Sequence, residues 1–293
     1  MEKWKSRFYS HCVSLFLGFF WLLGLSGCTN LAFQPSRFSY SGLESMPGPS
    51  ETFYITLKDR TKLGAWWVTP RSHLKQKGCI LHFHGNAQNR TAQVHNIAWL
   101  AEEGYALYAF DYRGYGDSEG KPEMNVLYRD HQEVLEDFIK RCETLGNKEK
   151  NFNRIVFAQS LGGYLAIAPL FTWENRHQID ALVLEGTFSS LKSVGRNVLS
   201  RQWLTWPFQG LGYLLLSDRY ASKDYLGLPR SFPVLVVHGN SDPVIDYKFG
   251  RQVYELLKSP KEWLEIPRGQ HLDAWFIELG QYRSNLLRFL DTH

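Results

Sequence analysis

Apolar residues in this chain fall into two rhythms. Short, nearly continuous apolar runs at 79–83, 105–110, 155–157, 181–184 and 234–238 are the pattern of strands buried on both faces of a parallel sheet. Between them, residues 126–145 carry apolar side chains at 127, 134, 135, 138 and 139, a helical spacing that predicts one long amphipathic helix. Residues 90–103 and 161–171 predict two further helices, and 274–290 an amphipathic helix that closes the chain. At the front, runs at 53–57 and 63–68 flank Lys58-Asp59-Arg60 and predict a hairpin, and 262–266 predicts a last strand. A hairpin followed by alternating strands and helices predicts an α/β fold, a mostly parallel eight-stranded sheet covered by helices on both faces.

At 293 residues the chain fits one large α/β domain, or at most two small ones. The formal charge of +4 falls to +2 once the first 27 residues, with Lys3, Lys5 and Arg7 against Glu2, are set aside. With no run of Lys or Arg either, nucleic acid is not an expected partner.

The N-terminus changes the picture. Those three basic residues precede the apolar stretch 13–25, whose 13 residues fall short of the ~20 that a spanning helix needs and suit a secretory signal. Leu25-Ser26-Gly27-Cys28 then resembles the lipobox of bacterial lipoproteins. That resemblance implies a signal peptide at 1–27, cleavage before Cys28 and acylation of its thiol. Thr29, where Asp would favour retention at the inner membrane, implies the outer membrane of a Gram-negative host, with the folded domain outside the cytoplasm. Residues 28–50, rich in Ser, Pro and Gly, read as a tether to a domain at 51–293. Of the cysteines left within that domain, Cys79 and Cys142 are expected as buried thiols, with a disulfide as the alternative.

The chemistry sits at strand ends. Arg154-Ile-Val-Phe-Ala-Gln-Ser-Leu-Gly-Gly163 reads as strand, sharp turn, helix, with small residues (Ala158 and Gly162) two positions either side of Ser160. A nucleophile elbow has that form. An activated Ser needs a base, and the base a carboxylate to fix its tautomer. Asp242 lies just past a buried run in His238-Gly-Asn-Ser-Asp242, and His271 lies in the loop after the last strand, so the order along the chain is Ser, Asp, His.

With these motifs the chain resembles α/β-hydrolase-fold serine hydrolases, specifically the small-lid, serine-aminopeptidase-like branch that includes depalmitoylating enzymes. His84-Gly-Asn-Ala-Gln-Asn89 matches that family's oxyanion loop, and Asp111-Tyr-Arg-Gly-Tyr-Gly-Asp-Ser118 the loop after its fourth strand. The resemblance implies Ser160 as nucleophile, Asp242 as orienting acid and His271 as base. It also implies the backbone N–H groups of Asn86 and Leu161 as oxyanion donors. It places a lid at about 187–232, whose Trp203, Trp206 and Phe208 either form the lid's own core or line an acyl pocket.

Rival assignments stand beside these. Glu185 ends its own strand and is an alternative acid, as is Asp246 with less support; His82 and His84 share a strand face but are expected to be structural, as is His238. Asp111 and Arg113 are expected to pair and hold their loop. The expected function is hydrolysis of a carboxylic ester or thioester by a membrane-anchored monomer without metal or organic cofactor. A serine aminopeptidase and a catalytically silent binding lipoprotein are the alternatives.

Overall fold

A computed structural model describes residues 32–146, 152–201, 210, 216–230 and 232–292. The signal-peptide and lipobox expectations, Cys28 included, and the lid residues Trp203, Trp206 and Phe208 lie outside the described residues.

Eight strands form one sheet: β1 (Ser50–Thr56), β2 (Lys62–Val68), β3 (Gly78–Phe83), β4 (Tyr105–Phe110), β5 (Asn153–Gln159), β6 (Ala181–Glu185), β7 (Val234–Gly239) and β8 (Lys261–Ile266). Their order is β1-β2-β4-β3-β5-β6-β7-β8. The opening hairpin and the β2–β4 pairing are antiparallel, and every later pairing is parallel. Alternation along the strands divides the interior into two cores. Cys79, Leu81, Phe83, Val156, Ala158, Leu182 and Leu184 face one side, with Ile80, Ile155, Phe157, Ala181 and Val183 facing the other.

The first core is covered by α2 (Met124–Gly146) and α3 (Leu161–Thr172), which follow α1 (Arg90–Gln93) in the chain. Later helices are α4 (Leu191–Ser200), α5 (Lys223–Leu226), α6 (Tyr247–Leu256) and α7 (Arg283–Thr292). Two of the expected helices are shorter than the pattern suggested. The segment expected as a helix at 90–103 stops after one turn and continues as 3-10 turns, because Val94, Ile97, Ala98, Trp99, Leu100 and Ala101 are all buried, and Ile97 leaves helical geometry. A segment apolar all round is held by packing rather than by one amphipathic stripe. The closing helix begins at Arg283, not 274. Trp275 is drawn into the core, and the chain turns through left-handed conformations at Glu278, Leu279 and Gly280 before the helix starts.

The stretch expected as a tether is, from Ala32 onward, applied to the domain. Phe33 and Met46 are buried, and Ser36 O accepts the amide of Gly116. Ser and Pro serve here as backbone hydrogen-bond positions along a surface, and composition alone does not distinguish that use from a free linker. Cys79 and Cys142 are free thiols, both buried.

Candidate active site

Each of the three chemistry-bearing side chains follows the carboxyl end of a strand, where ligands gather in open α/β sheets. Ser160 follows β5 and enters α3 through a left-handed turn (φ 53°, ψ −120°). That conformation is costly for a residue with a Cβ, and neighbours over-determine it. The Ser160 N–H donates to Glu185 O at 2.8 Å, while its carbonyl accepts from the Thr187 hydroxyl at 2.8 Å. The elbow also demands glycine at 162, since a Cβ there would lie 2.2 Å from Phe83 O and 2.5 Å from His84 O.

Ser160 Oγ stands 3.0 Å from His271 Nε2, and His271 Nδ1 stands 2.7 Å from Asp242 Oδ2. An ionised carboxylate only accepts, so Nδ1 carries the imidazole proton and leaves Nε2 free to accept from the hydroxyl. Asp242 is buried, and its other oxygen, Oδ1, accepts the amides of Val244 (2.8 Å) and Ile245 (2.9 Å). These amides fix the carboxylate plane, leaving Oδ2 for the imidazole. His238 Nε2 donates to Ile245 O at 2.9 Å and holds the same loop from below; burial keeps this ring neutral, below the usual imidazole range.

The loop after β3 lies against the serine, where a Cβ on Gly85 would be 3.4 Å from Ser160 Cβ. Its conformation is set by Gln93, whose Oε1 accepts from the Gly85 amide at 2.5 Å and whose Nε2 donates to Asn86 O at 3.1 Å. Asn86 is tied further through its side chain: Oδ1 accepts from Tyr115 OH (2.7 Å) and Gln34 N (2.9 Å), and Nδ2 donates to Ala32 O (2.7 Å). The amide N–H groups of Asn86 and Leu161 have no acceptor among the described residues. Leu161 follows Ser160 directly, and Asn86 follows Gly85, the residue whose Cβ would approach the serine.

Glu185 ends β6 and is 2% exposed, which pushes its carboxyl up to about 7. It sits off the Ser–His–Asp line: its Oε2 accepts from Gln159 Nε2 (2.7 Å) and Trp275 Nε1 (2.8 Å). Gln159 Oε1 in turn stands 2.9 Å from His82 Nε2, a histidine that burial holds down at about 3. Sequence reading missed this layer of three polar side chains across the ends of β3, β5 and β6. Its signal was Gln159 and Glu185, polar residues at matching ends of apolar runs.

Asp246, the other rival acid, caps α6 through the Lys248 amide and pairs with Lys248 at 3.2 Å and Arg201 at 3.8 Å. Asp111 and Arg113 do not pair with each other. Asp111 holds the buried Arg90 and lies 3.3 Å from His84, whereas Arg113 meets Asp130 at 2.5 Å and Asp59 at 2.7 Å. Each finds its counter-ion on a neighbouring element. His84 Nδ1 bonds Gly85 O at 2.7 Å. Among the described residues no group of three His, Cys, Asp or Glu side chains is placed to hold a metal.

Comparison with known proteins agrees with this architecture. Residues 75–225 match the model of the Hydrolase_4 family, described as serine aminopeptidase, S33. The chain is similar to the uncharacterized protein YfhR of Salmonella typhi, at 31% identity over 84% of this chain and 83% of that one. It is also similar to the protein bem46 of Schizosaccharomyces pombe, at 27% identity over 72% of this chain and 69% of that one. Among solved structures, an esterase of Pyrococcus furiosus superposes with a TM-score of 0.68 at 19% identity, covering 89% of this chain and 97% of that one. The fold, the family match and the extent of likeness lead to one conclusion: the chain belongs to the Hydrolase_4 family and is a hydrolase of the α/β-hydrolase type.

Proposed function

We propose that this protein is a lipid-anchored serine hydrolase that cleaves a carboxylic ester or thioester through an acyl-enzyme. The observation that carries the reading is the continuous relay from Ser160 Oγ through His271 to Asp242, at 3.0 and 2.7 Å. In the first half-reaction His271 Nε2 takes the hydroxyl proton as Ser160 Oγ bonds to the substrate's carbonyl carbon. The oxyanion that forms lies where the amides of Asn86 and Leu161 can donate to it. As the tetrahedral adduct collapses, the imidazolium passes its proton to the departing alcohol or thiol, and the acyl group stays on Ser160. A water molecule then gives a proton to Nε2 and attacks the acyl carbon. The acid leaves, and Ser160 Oγ recovers its proton from His271. Asp242 remains ionised throughout and steadies each imidazolium. Each oxyanion donor contributes about 3 kcal/mol of transition-state stabilisation in enzymes of this kind.

An aminopeptidase of the same fold would need a free carboxylate for the substrate's amine. The nearby acids are engaged otherwise: Asp242 by His271 and two amides, Glu185 by Gln159 and Trp275, Asp246 by Lys248 and Arg201. This occupancy favours the ester reading.

A fluorophosphonate label separates an enzyme from a silent fold. Wild type should be modified and Ser160→Ala should not; equal labelling of the two would remove Ser160 from its role. Turnover of p-nitrophenyl esters of graded chain length, set against aminoacyl anilides, then decides between esterase and aminopeptidase. The anchor is tested by labelled palmitate in a bacterial host. Wild type should incorporate it and sediment with membrane, and incorporation by Cys28→Ser would refute acylation at that thiol.

A further inference from the structure

The segment that follows the proposed lipid attachment is built into the wall of the active site. Ala32 O and Gln34 N hold the two ends of the Asn86 side-chain amide, at 2.7 and 2.9 Å, and Phe33 between them is buried. The contact continues along the chain. Asn89 Nδ2 donates to Ser36 O (3.0 Å) and Phe38 O (2.7 Å), Tyr40 N donates to Thr91 Oγ1 (2.9 Å), and the Ser41 hydroxyl bonds Thr91 O. Residues 32–41 are therefore a strap, fixed over the loop that carries one oxyanion donor.

Ala32 lies four positions after Cys28, and a fully extended chain spans at most about 3.6 Å per residue. A lipid on Cys28 would enter the bilayer no more than roughly 14 Å along the chain from Ala32, whose carbonyl touches Asn86. The strap's outward face suits such a surface. Phe38 is 68% and Tyr40 43% exposed, their rings meet edge to face at 5.0 Å, and the exposed Arg37 lies beside them. Paired aromatics with an adjacent cation match a lipid interface, where rings settle among headgroups and a basic residue meets anionic ones. Val244, also exposed at 50%, lies two residues beyond Asp242.

We propose that the strap turns the mouth of the active site onto the lipid surface, so that the enzyme takes its acyl ester from amphiphiles resident in that surface. This rests on the reading of the protein as an ester hydrolase acylated at Cys28. Anchoring then sets the orientation of the site as well as holding the protein at the membrane.

The test uses the full chain, processed in a bacterial host and reconstituted in vesicles of phosphatidylethanolamine and phosphatidylglycerol. An environment-sensitive fluorophore is placed on Phe38→Cys or on Glu102→Cys. Glu102 is exposed in the turn before β4, at the amino-terminal end of the parallel strands and so away from the carboxyl ends that carry the site, and the native Cys79 and Cys142 are buried. The fluorophore at 38 should shift to the blue and be quenched by nitroxide lipids, while that at 102 should do neither. Equal behaviour at both positions, or failure of the protein to associate with vesicles at all, overturns the proposal. A second variant carries a flexible Gly-Ser spacer of about 20 residues between Asn30 and Leu31, long enough to free the orientation. Its turnover of a long-chain fluorogenic ester dissolved in the vesicles should fall roughly tenfold, with turnover of soluble p-nitrophenyl butyrate unchanged. Unchanged turnover of both esters overturns the proposal. If wild type cleaves neither ester, the hydrolase reading fails instead, and the fluorophores still report which face meets the membrane.

Discussion

Trp275 donates its indole N–H to Glu185 Oε2 at 2.8 Å, joining the segment that carries His271 to the strand end beside Ser160. The two residues are remote in sequence, and the bond crosses from the loop after β8 to the tip of β6. Gly186, next along the strand, packs against the imidazole so closely that a Cβ there would stand 3.3 Å from His271 Cε1. A buried carboxyl raised to about 7 thus lies close to the proposed base, with no hydrogen-bond partner for its Oε1 among the described residues.

That carboxyl gives a pH dependence of definite sign. Its ordinary value is 4.5 and its folded value about 7, so between these the folded protein holds a proton that the unfolded chain has released. Stability from Glu185 is therefore present at low pH and declines as pH rises through this window. Glu185→Gln keeps an acceptor for Trp275 and cannot ionise. Its Tm relative to wild type should increase between about pH 5 and about pH 8. His82 and His131, both held near 3 by burial, contribute the opposite slope, but equally in the two proteins. A Tm difference that does not move with pH would show that Glu185 ionises at its ordinary value.

Asp242→Asn should preserve the fold and abolish most of the activity. The variant's side-chain oxygen can still accept the Val244 and Ile245 amides, so the loop keeps its shape. Its NH₂ then faces His271 Nδ1, favours the imidazole tautomer with the proton on Nε2, and leaves no acceptor for the serine. Turnover of p-nitrophenyl butyrate should fall by about four orders of magnitude, with little change in Tm. If Glu185→Gln costs more activity than Asp242→Asn, the orienting acid is Glu185.

Gly162→Ala tests the elbow from the side of stability. The added methyl would meet the backbone carbonyls of Phe83, the last residue of β3, and of His84 beside it, and backbone cannot swing aside as a flexible side chain would. Overpacking of this kind costs about 1–3 kcal/mol, to be read as a lower denaturant midpoint with an unchanged slope. An unaltered midpoint would mean that the elbow has slack the geometry denies.

The strands and the Ser–Asp–His order were legible in the sequence because both are local signals. Buried parallel strands must be apolar throughout, and an elbow restricts the residues two positions either side of Ser160. Positions 90–103 and 274–282 misled because burial all round, or a single large side chain such as Trp275 drawn inward, replaces the helical stripe with tertiary packing. The pairings of Asp111 with Arg90 and of Arg113 with Asp130 were illegible for a related reason, since proximity in sequence says little about which charge faces which. The strap was hidden by composition: Ser, Pro and exposed aromatics read as linker until their backbone groups are seen bonded to Asn86, Asn89 and Thr91.

Trp275→Phe isolates the bond on which the base segment depends. The replacement ring can still pack near Phe157 and Trp99, the aromatic neighbours of the indole, but it cannot donate to Glu185. Above about pH 7, where Glu185 is ionised, a lost hydrogen bond to a charged acceptor costs about 1.5–3 kcal/mol, and the Glu185 carboxyl, with one donor fewer, should titrate higher still. Because the segment places His271 and does not touch the acyl chain, kcat for p-nitrophenyl butyrate should drop severalfold while KM holds. A rise in KM with kcat unchanged would mean that Trp275 shapes the substrate site and leaves the base where it was.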